Sequence, residues 1–452
     1  MIDTVFLDYL ACARSDLEFN RTAAGFAALQ LFDSVKIRGY DPGTHGATID
    51  QIRKDVAAIV SAPSIKAALD SFLQVLPFWE ESGAIRVGRR AVYTSLLIYG
   101  QALGDEGEWH LAQQVYSIVG VDSELEGETW ISAEARLMMG RASRMCADWE
   151  ESKIAYVRAY ELGMDAGDIS IALRARIGEA NNLWSRGDFP AARQLLNATA
   201  RRARETCPDV LPRVILAIAA VANAAGEYER AIHLTFGLLE SLSDDDELKY
   251  KTLIDLAAFL TDYGLPDVAG AALRVVERNA REAQVRIHAR LNLFFLAARH
   301  EDAVSFGVLR AALANDTLTP RQQTQYALFS AQGFRRFAQF NAAQESVEQA
   351  IKLANQFQLF QLMFEAESEM HEIEAARTQI GKEAPERPVR LRKVRARAAA
   401  GADDATDVIE AIFDRSTTRA KIPPRIRRVA ESIKSMALEE AAITDGGGRF
   451  TQ

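Results

Sequence analysis

Six copies of one five-residue signature run along this chain. A fixed internal period constrains a fold more tightly than any other property of a sequence. The signature is a small residue, a turn residue seven on, a bulky one at nine, a small one at twelve and a larger one at sixteen. Gly100, Gly107, Trp109, Ala112 and Tyr116 give the clearest copy, followed by Gly140, Ala147, Trp149, Ser152 and Tyr156. Later copies begin at Ala180, Ala219, Ala257 and Ala331. The turn residues Gly107, Ala147, Gly187, Gly226, Gly264, Ala298 and Ala338 are spaced 40, 40, 39, 38, 34 and 40 residues apart.

Each unit reads as two amphipathic helices joined by a tight turn. Leu137, Met138, Met139, Ala142 and Met145 recur at helical spacing before Ala147, and a second helical stretch runs from Glu150 to Leu162. A glycine suits the end of a helix, where the next residue enters the left-handed region. Asp148, Asp188 or Glu227 then places an acid at the start of the following helix, where the dipole favours it. The small residues let the paired helices approach closely, and the aromatic plugs the gap above the turn.

The pattern resembles the tetratricopeptide repeat (TPR) family over about residues 88 to 355. The resemblance implies an all-α, right-handed α-solenoid of about seven TPR-like helix pairs. Two departures point to the longer-repeat variants of bacterial regulators and scaffold proteins. The units here are mostly longer than the usual period of about 34 residues, and the proline that closes the family's unit is missing at most junctions. The copy around Leu291, Ala298, His300 and Ala303 is worn, with Gly307 where a bulky residue belongs, so a bend or weak point is expected there.

Four regions follow from this reading. Residues 1–87 form an N-terminal helical cap, with a loop over Arg38 to Gly46 and a worn repeat that has Pro63 in its turn. Residues 88–378 form the solenoid, 379–405 a basic linker, and 406–452 short helices, Thr406 to Asp414 and Arg425 to Ala442, with a flexible tail.

Composition closes off several function classes. No apolar run is long enough for a membrane span. The start of the chain has acids where a signal peptide needs bases, so a cytoplasmic protein is expected. Cys12, Cys146 and Cys207 are isolated, and they read as buried helical thiols rather than a disulfide framework or a zinc site. Residues 1–380 carry a net charge of −13 and residues 381–452 a net +4, so the solenoid itself is an improbable nucleic-acid binder. The six histidines include no pair at i, i+4, and no phosphate-binding or nucleophile-elbow motif occurs. No cofactor, no metal and no catalysis are expected.

The groove is more informative. The resemblance implies that residues six before, three before, one after and four after the first signature residue line the concave face. These positions hold Arg174, Arg213 and Lys251 as a basic ladder, with Arg141 and Arg144 nearby. Guanidinium forks of this kind match carboxylates. Asn181, Asn223, Asn292 and Gln332 offer amides to a peptide backbone, and Trp184 an apolar anchor. The lysine pair of the carboxylate clamp for chaperone tails is absent, so chaperone tails are not the favoured ligand. A second candidate is the acid-free run Arg387, Arg390, Arg392, Lys393, Arg395 and Arg397. It has the charge to bind phosphate, nucleic acid or an acidic partner, to dock on the acidic solenoid in cis, or to remain a solvated linker, but no aromatic for base stacking.

The expected function is a non-catalytic interaction scaffold or adaptor that binds a segment or helix of an acidic protein partner in the groove. The alternative is a peptide-responsive regulatory sensor, or an accessory subunit of an operon-encoded enzyme, with output through the basic C-terminal segment. Neither reading fixes an oligomeric state.

Overall fold

The computed structural model describes residues 4–13, 16–59, 62–79, 85–243, 247–357, 359–383 and 423–446. Among the described residues the regular secondary structure is entirely helical. No helix among them is long and apolar enough to cross a membrane. The chain forms two compact units, residues 1–214 and 215–452. The division falls shortly after a short 3-10 turn, Pro208–Val210.

Unit 1 begins with α1 (Thr4–Cys12), α2 (Asp16–Arg38), α3 (Pro42–Ala57) and α4 (Pro63–Val75). The loop expected over 38–46 is much shorter than its Gly and Pro content implies. Asp41 caps α3 by accepting from the Thr44 backbone N–H at 2.9 Å, and Pro42 has the fixed φ that suits a first helical position. Phe32, Phe72, Trp79 and Tyr93 pack edge-on, with Phe32 and Trp79 centroids 5.3 Å apart, and close the core of this end.

Helix pairs follow: α5 (Ile85–Asp105) with α6 (Trp109–Leu125), α7 (Thr129–Met145) with α8 (Trp149–Asp165), and α9 (Ile169–Ser185) with α10 (Phe189–Thr206). Gly107, Ala147 and Gly187 all take positive φ at the turn within a pair. There the third residue past the helix donates back to a carbonyl five residues earlier, as from Asp148 to Ser143 at 2.9 Å. Gly127 and Gly167 repeat the same turn between pairs, so the turn recurs every half period, which the sequence reading did not register. Tyr156 of α8 shows why glycine fills the small positions. A Cβ at Gly140 would lie 2.7 Å from its ring, and one at Gly178 would lie 2.2 Å away.

Unit 2 continues with α11 (Leu211–Ala224), which starts just before the division, α12 (Tyr228–Ser241), α13 (Glu247–Tyr263), α14 (Pro266–Asn279), α15 (Ala283–Arg299), α16 (Ala303–Ala314), α17 (Pro320–Arg336), α18 (Phe340–Gln356), α19 (Phe360–Glu383) and α20 (Pro424–Gly446). One expectation is corrected here. The turn of the worn repeat is at Glu301, with φ 57°, not at Ala298, which is inside α15. Restoring the register puts Phe294 and Phe306 at the two small positions, where their rings stack 4.7 Å apart. Gly333 of α17 compensates, since a Cβ there would lie 2.1 Å from the Phe306 ring. The joint is therefore filled in an inverted way rather than left empty. The linker and the expected helix 406–414 lie outside the described residues, except that α19 runs on to Glu383.

Candidate functional site

The first helix of each pair in unit 1 turns one stripe outward: Thr94, Ile98 and Gln101 on α5, Trp130, Glu134, Met138 and Arg141 on α7, and Ser170 and Arg174 on α9. Spacings of three and four residues keep each stripe on one helix face. All of these residues but Arg141 line a trough of about 260 Å³ whose wall includes Thr94, Ile98, Gln101, Trp130, Glu134, Met138, Asp168 and Arg174. Ile98 is 48% exposed and Trp130 47%, two large apolar groups that both face the trough.

Polar contacts fix the trough's shape. Asp168 caps α9 by accepting from the Ile171 backbone N–H at 3.0 Å, and its other oxygen accepts from the Trp130 indole N–H at 2.9 Å. The tryptophan is thereby held with its ring open to the trough. Arg174 donates to both carboxylate oxygens of Glu134, at 3.0 and 3.1 Å, across the gap between α9 and α7. Such a two-pronged pair is specific in geometry and partly screened from water.

That pairing changes the electrostatic picture. Arg174 is already neutralised within the repeat lattice, and in unit 2 Lys251 pairs with Glu282 at 3.0 Å. Arg213 is exposed, with no ion pair among the described residues, and it belongs to unit 1 while Lys251 belongs to unit 2. A continuous ladder of unpaired cations is thus not what these side chains form. Arg141 is exposed, with its guanidinium 5.5 Å from the centroid of Trp109. Arg144 is half-buried, its charge acting on the Tyr156 phenol, and it is not among the residues that line the trough.

The expected amides have local duties. Asn223 donates to Asp262 at 2.7 Å, and Asn292 donates to the His288 carbonyl on its own helix at 3.1 Å. Asn181, Trp184 and Gln332 are half-buried. In α9 the amide tied to backbone is the neighbouring Asn182, which donates to the Trp149 carbonyl at 2.9 Å. The basic run Arg387, Arg390, Arg392, Lys393, Arg395 and Arg397 lies outside the described residues.

Sequence reasoning missed Ile98, Trp130 and Met138 because it read the face only at six and three residues before and one and four after the first signature residue, whereas these stand two or ten residues before it. The signal was available: Trp130, Glu134, Met138 and Arg141 recur at i, i+4, i+8 and i+11. A larger hollow of about 360 Å³ lies beside α14 and α16, lined by Arg274, Arg278, Val304 and Val308, but no aromatic anchor lines it.

Paired helices, a left-handed turn at each pair and outward stripes on the first helices decide the architecture. The fold is TPR-like. No family model matches the chain, and no curated protein matches it. Among solved structures it is similar to the apo form of RapI, at 12% identity over 74% of this chain and 98% of that one, with a TM-score of 0.43. It is also similar to a Rap protein complexed with competence and sporulation factor, at 11% identity over 80% of this chain and 100% of that one, TM-score 0.42. A third similar structure is a TPR domain, at 13% identity over 78% of this chain and 98% of that one, TM-score 0.25.

Proposed function

We propose that the protein is a non-catalytic interaction scaffold whose unit 1 trough takes a segment of a protein partner, either extended or helical. The observation that carries this reading is an apolar wall, Ile98, Met138 and Trp130, left open among fixed polar groups. A rigid, half-exposed aromatic beside aliphatic side chains is the form that interface anchors take, and a few such residues supply most of the binding energy. Because Trp130 is held in place before the partner arrives, little ordering cost falls on binding. The partner inserts one large apolar side chain and sets polar or acidic groups along the rim, where Gln101 and the exposed Arg141 receive them.

Site-specific photo-crosslinking tests this directly. A benzophenone side chain at position 98 should crosslink a protein partner in cells, while one at Lys153, exposed on α8, should not. The double variant Ile98→Asp, Met138→Asp should reduce capture of that partner at least tenfold. Undiminished capture by a folded double variant would remove the trough from the mechanism.

A second reading, a peptide-responsive regulator with its output at the C-terminal segment, is favoured by the packing of α20 on α14 and α12. Deleting residues 381–452 separates the two: a scaffold keeps its partner, whereas a regulator keeps ligand binding and loses its output.

A further inference from the structure

α20 is a long helix that returns to the repeats after 40 intervening residues. Within unit 2 it packs on α14 and, less extensively, on α12. Ile426, Val429, Ala430, Ile433 and Ala437 are at most 5% exposed and follow the order i, i+3, i+4, i+7, i+11, one face of a helix. The other face is charged and exposed, with Arg427, Arg428 and Glu431 outward. Arg428 reaches Glu240 at the end of α12, at 3.0 Å.

The receiving surface is built differently from the rest of the stack. Ile232, Phe236 and Leu239 of α12 are buried in the same apolar cluster as α20, together with Val268, Ala271 and Val275 of α14. Counted from the left-handed turn residue, the three α12 positions correspond to Lys153, Val157 and Tyr160 in α8 and to Arg193, Asn197 and Ala200 in α10. In α8 and α10 those positions are exposed or half-buried. So α12 carries a second apolar stripe besides the one facing its own repeat. The composition of the stripe fits a helix, not an extended strand, because its residues recur every three to four positions.

We propose that the α12–α14 face is a receptor for an amphipathic helix, that α20 is its tethered ligand, and that a partner's helix displaces it. The partner's helix carries apolar residues in the order i, i+3, i+4, i+7, i+11, with a basic side chain two residues after the first of them to meet Glu240. Two features make α20 replaceable. Two of its five buried side chains are alanines, so the contact is small for a permanent core helix. Forty residues of intervening chain also let α20 leave without disturbing α19. The tether makes the cis contact intramolecular, with an effective concentration on the order of millimolar or below. An untethered helix of better sequence competes with that.

The test uses the full chain and a fluorescent synthetic peptide of residues 423–446, read by anisotropy. Ile433→Asp in the chain should vacate the face, and the wild-type peptide should then bind saturably. Binding to the wild-type chain should be at least tenfold weaker, because α20 competes in cis. A peptide carrying Ile433→Asp should not bind. Glu240→Arg in the vacated chain should weaken the wild-type peptide a few-fold, and an Arg428→Glu peptide should restore it. No binding by a folded Ile433→Asp chain, or equal binding by both chains, overturns the proposal. Hydrogen exchange on the wild-type chain keeps the question decidable if that variant misfolds. Amides from Ile426 to Ala437 should exchange at least a hundredfold faster than those of α14, and equal rates overturn displaceability.

Discussion

Nine residues before the left-handed turn, the first helices of unit 1 carry Ile98 and Met138, while α13 and α15 of unit 2 carry Asp255 and Asn292. Six residues after the turn the contrast reverses. The second helices of unit 1 hold Lys153 and Arg193, whereas α12 has the buried Ile232 and α14 the buried Gly270. The turns and the small residues are common to both units, so these differences are not demanded by the fold. Unit 1 leaves apolar surface on its first helices, where a trough remains open. Unit 2 concentrates it on its second helices, where α20 covers it. A repeat frame fixes where a side chain stands; the chemistry placed there is free to differ from unit to unit.

The sharpest test of this contrast is at the joints. Unit 1 closes its joint with glycines against Tyr156, while unit 2 closes the α15–α17 joint with Phe294 on Phe306. Phe306→Ala should cost about 3–5 kcal/mol, because it empties a stacked, fully packed site. Gly178→Ala should cost about 1–3 kcal/mol, since the new methyl forces the Tyr156 ring to move. Calorimetry of both variants checks the order, and a larger loss for Gly178→Ala would show that the inverted joint is the weaker one.

A smaller effect separates the first-helix faces. Burial raises the Asp255 carboxyl to a pKa of about 6. A raised acid is cheapest when protonated, so its penalty is absent below the ordinary carboxylate range, grows as pH rises and is complete above about 6. Asp255→Asn should therefore stabilise the chain by about 1–2 kcal/mol at pH 8 and by nothing measurable at pH 4. Denaturant melts at the two pH values decide it. The smallest effect belongs to the Glu134–Arg174 pair, whose double-mutant cycle should return about 0.5–1 kcal/mol, declining with salt.

The frame was legible in the sequence to the extent that local rules set it. Gly107, Ala147, Gly187, Gly226, Gly264 and Ala338 all take positive φ as their spacing implied. The register failed near Ala298 because Phe294 and Phe306 exchange small for large on both sides of one joint, and the compensation at Gly333 is distant in sequence. In the trough, the position rule that puts Arg174 on the concave face also puts Glu134 there, six residues before Gly140. Their mutual pairing was also readable, since 40 residues, one full period, separate them. The second stripe of α12 was harder to interpret. Nothing local distinguishes an apolar face awaiting a distant helix from one that serves its own repeat.

Asp168 secures the first turn of α9 with one oxygen and the Trp130 ring with the other. Fraying of that turn and release of the indole are therefore a single event. With the other four tryptophans replaced by phenylalanine, the emission of Trp130 becomes a gauge of whether the start of α9 is wound.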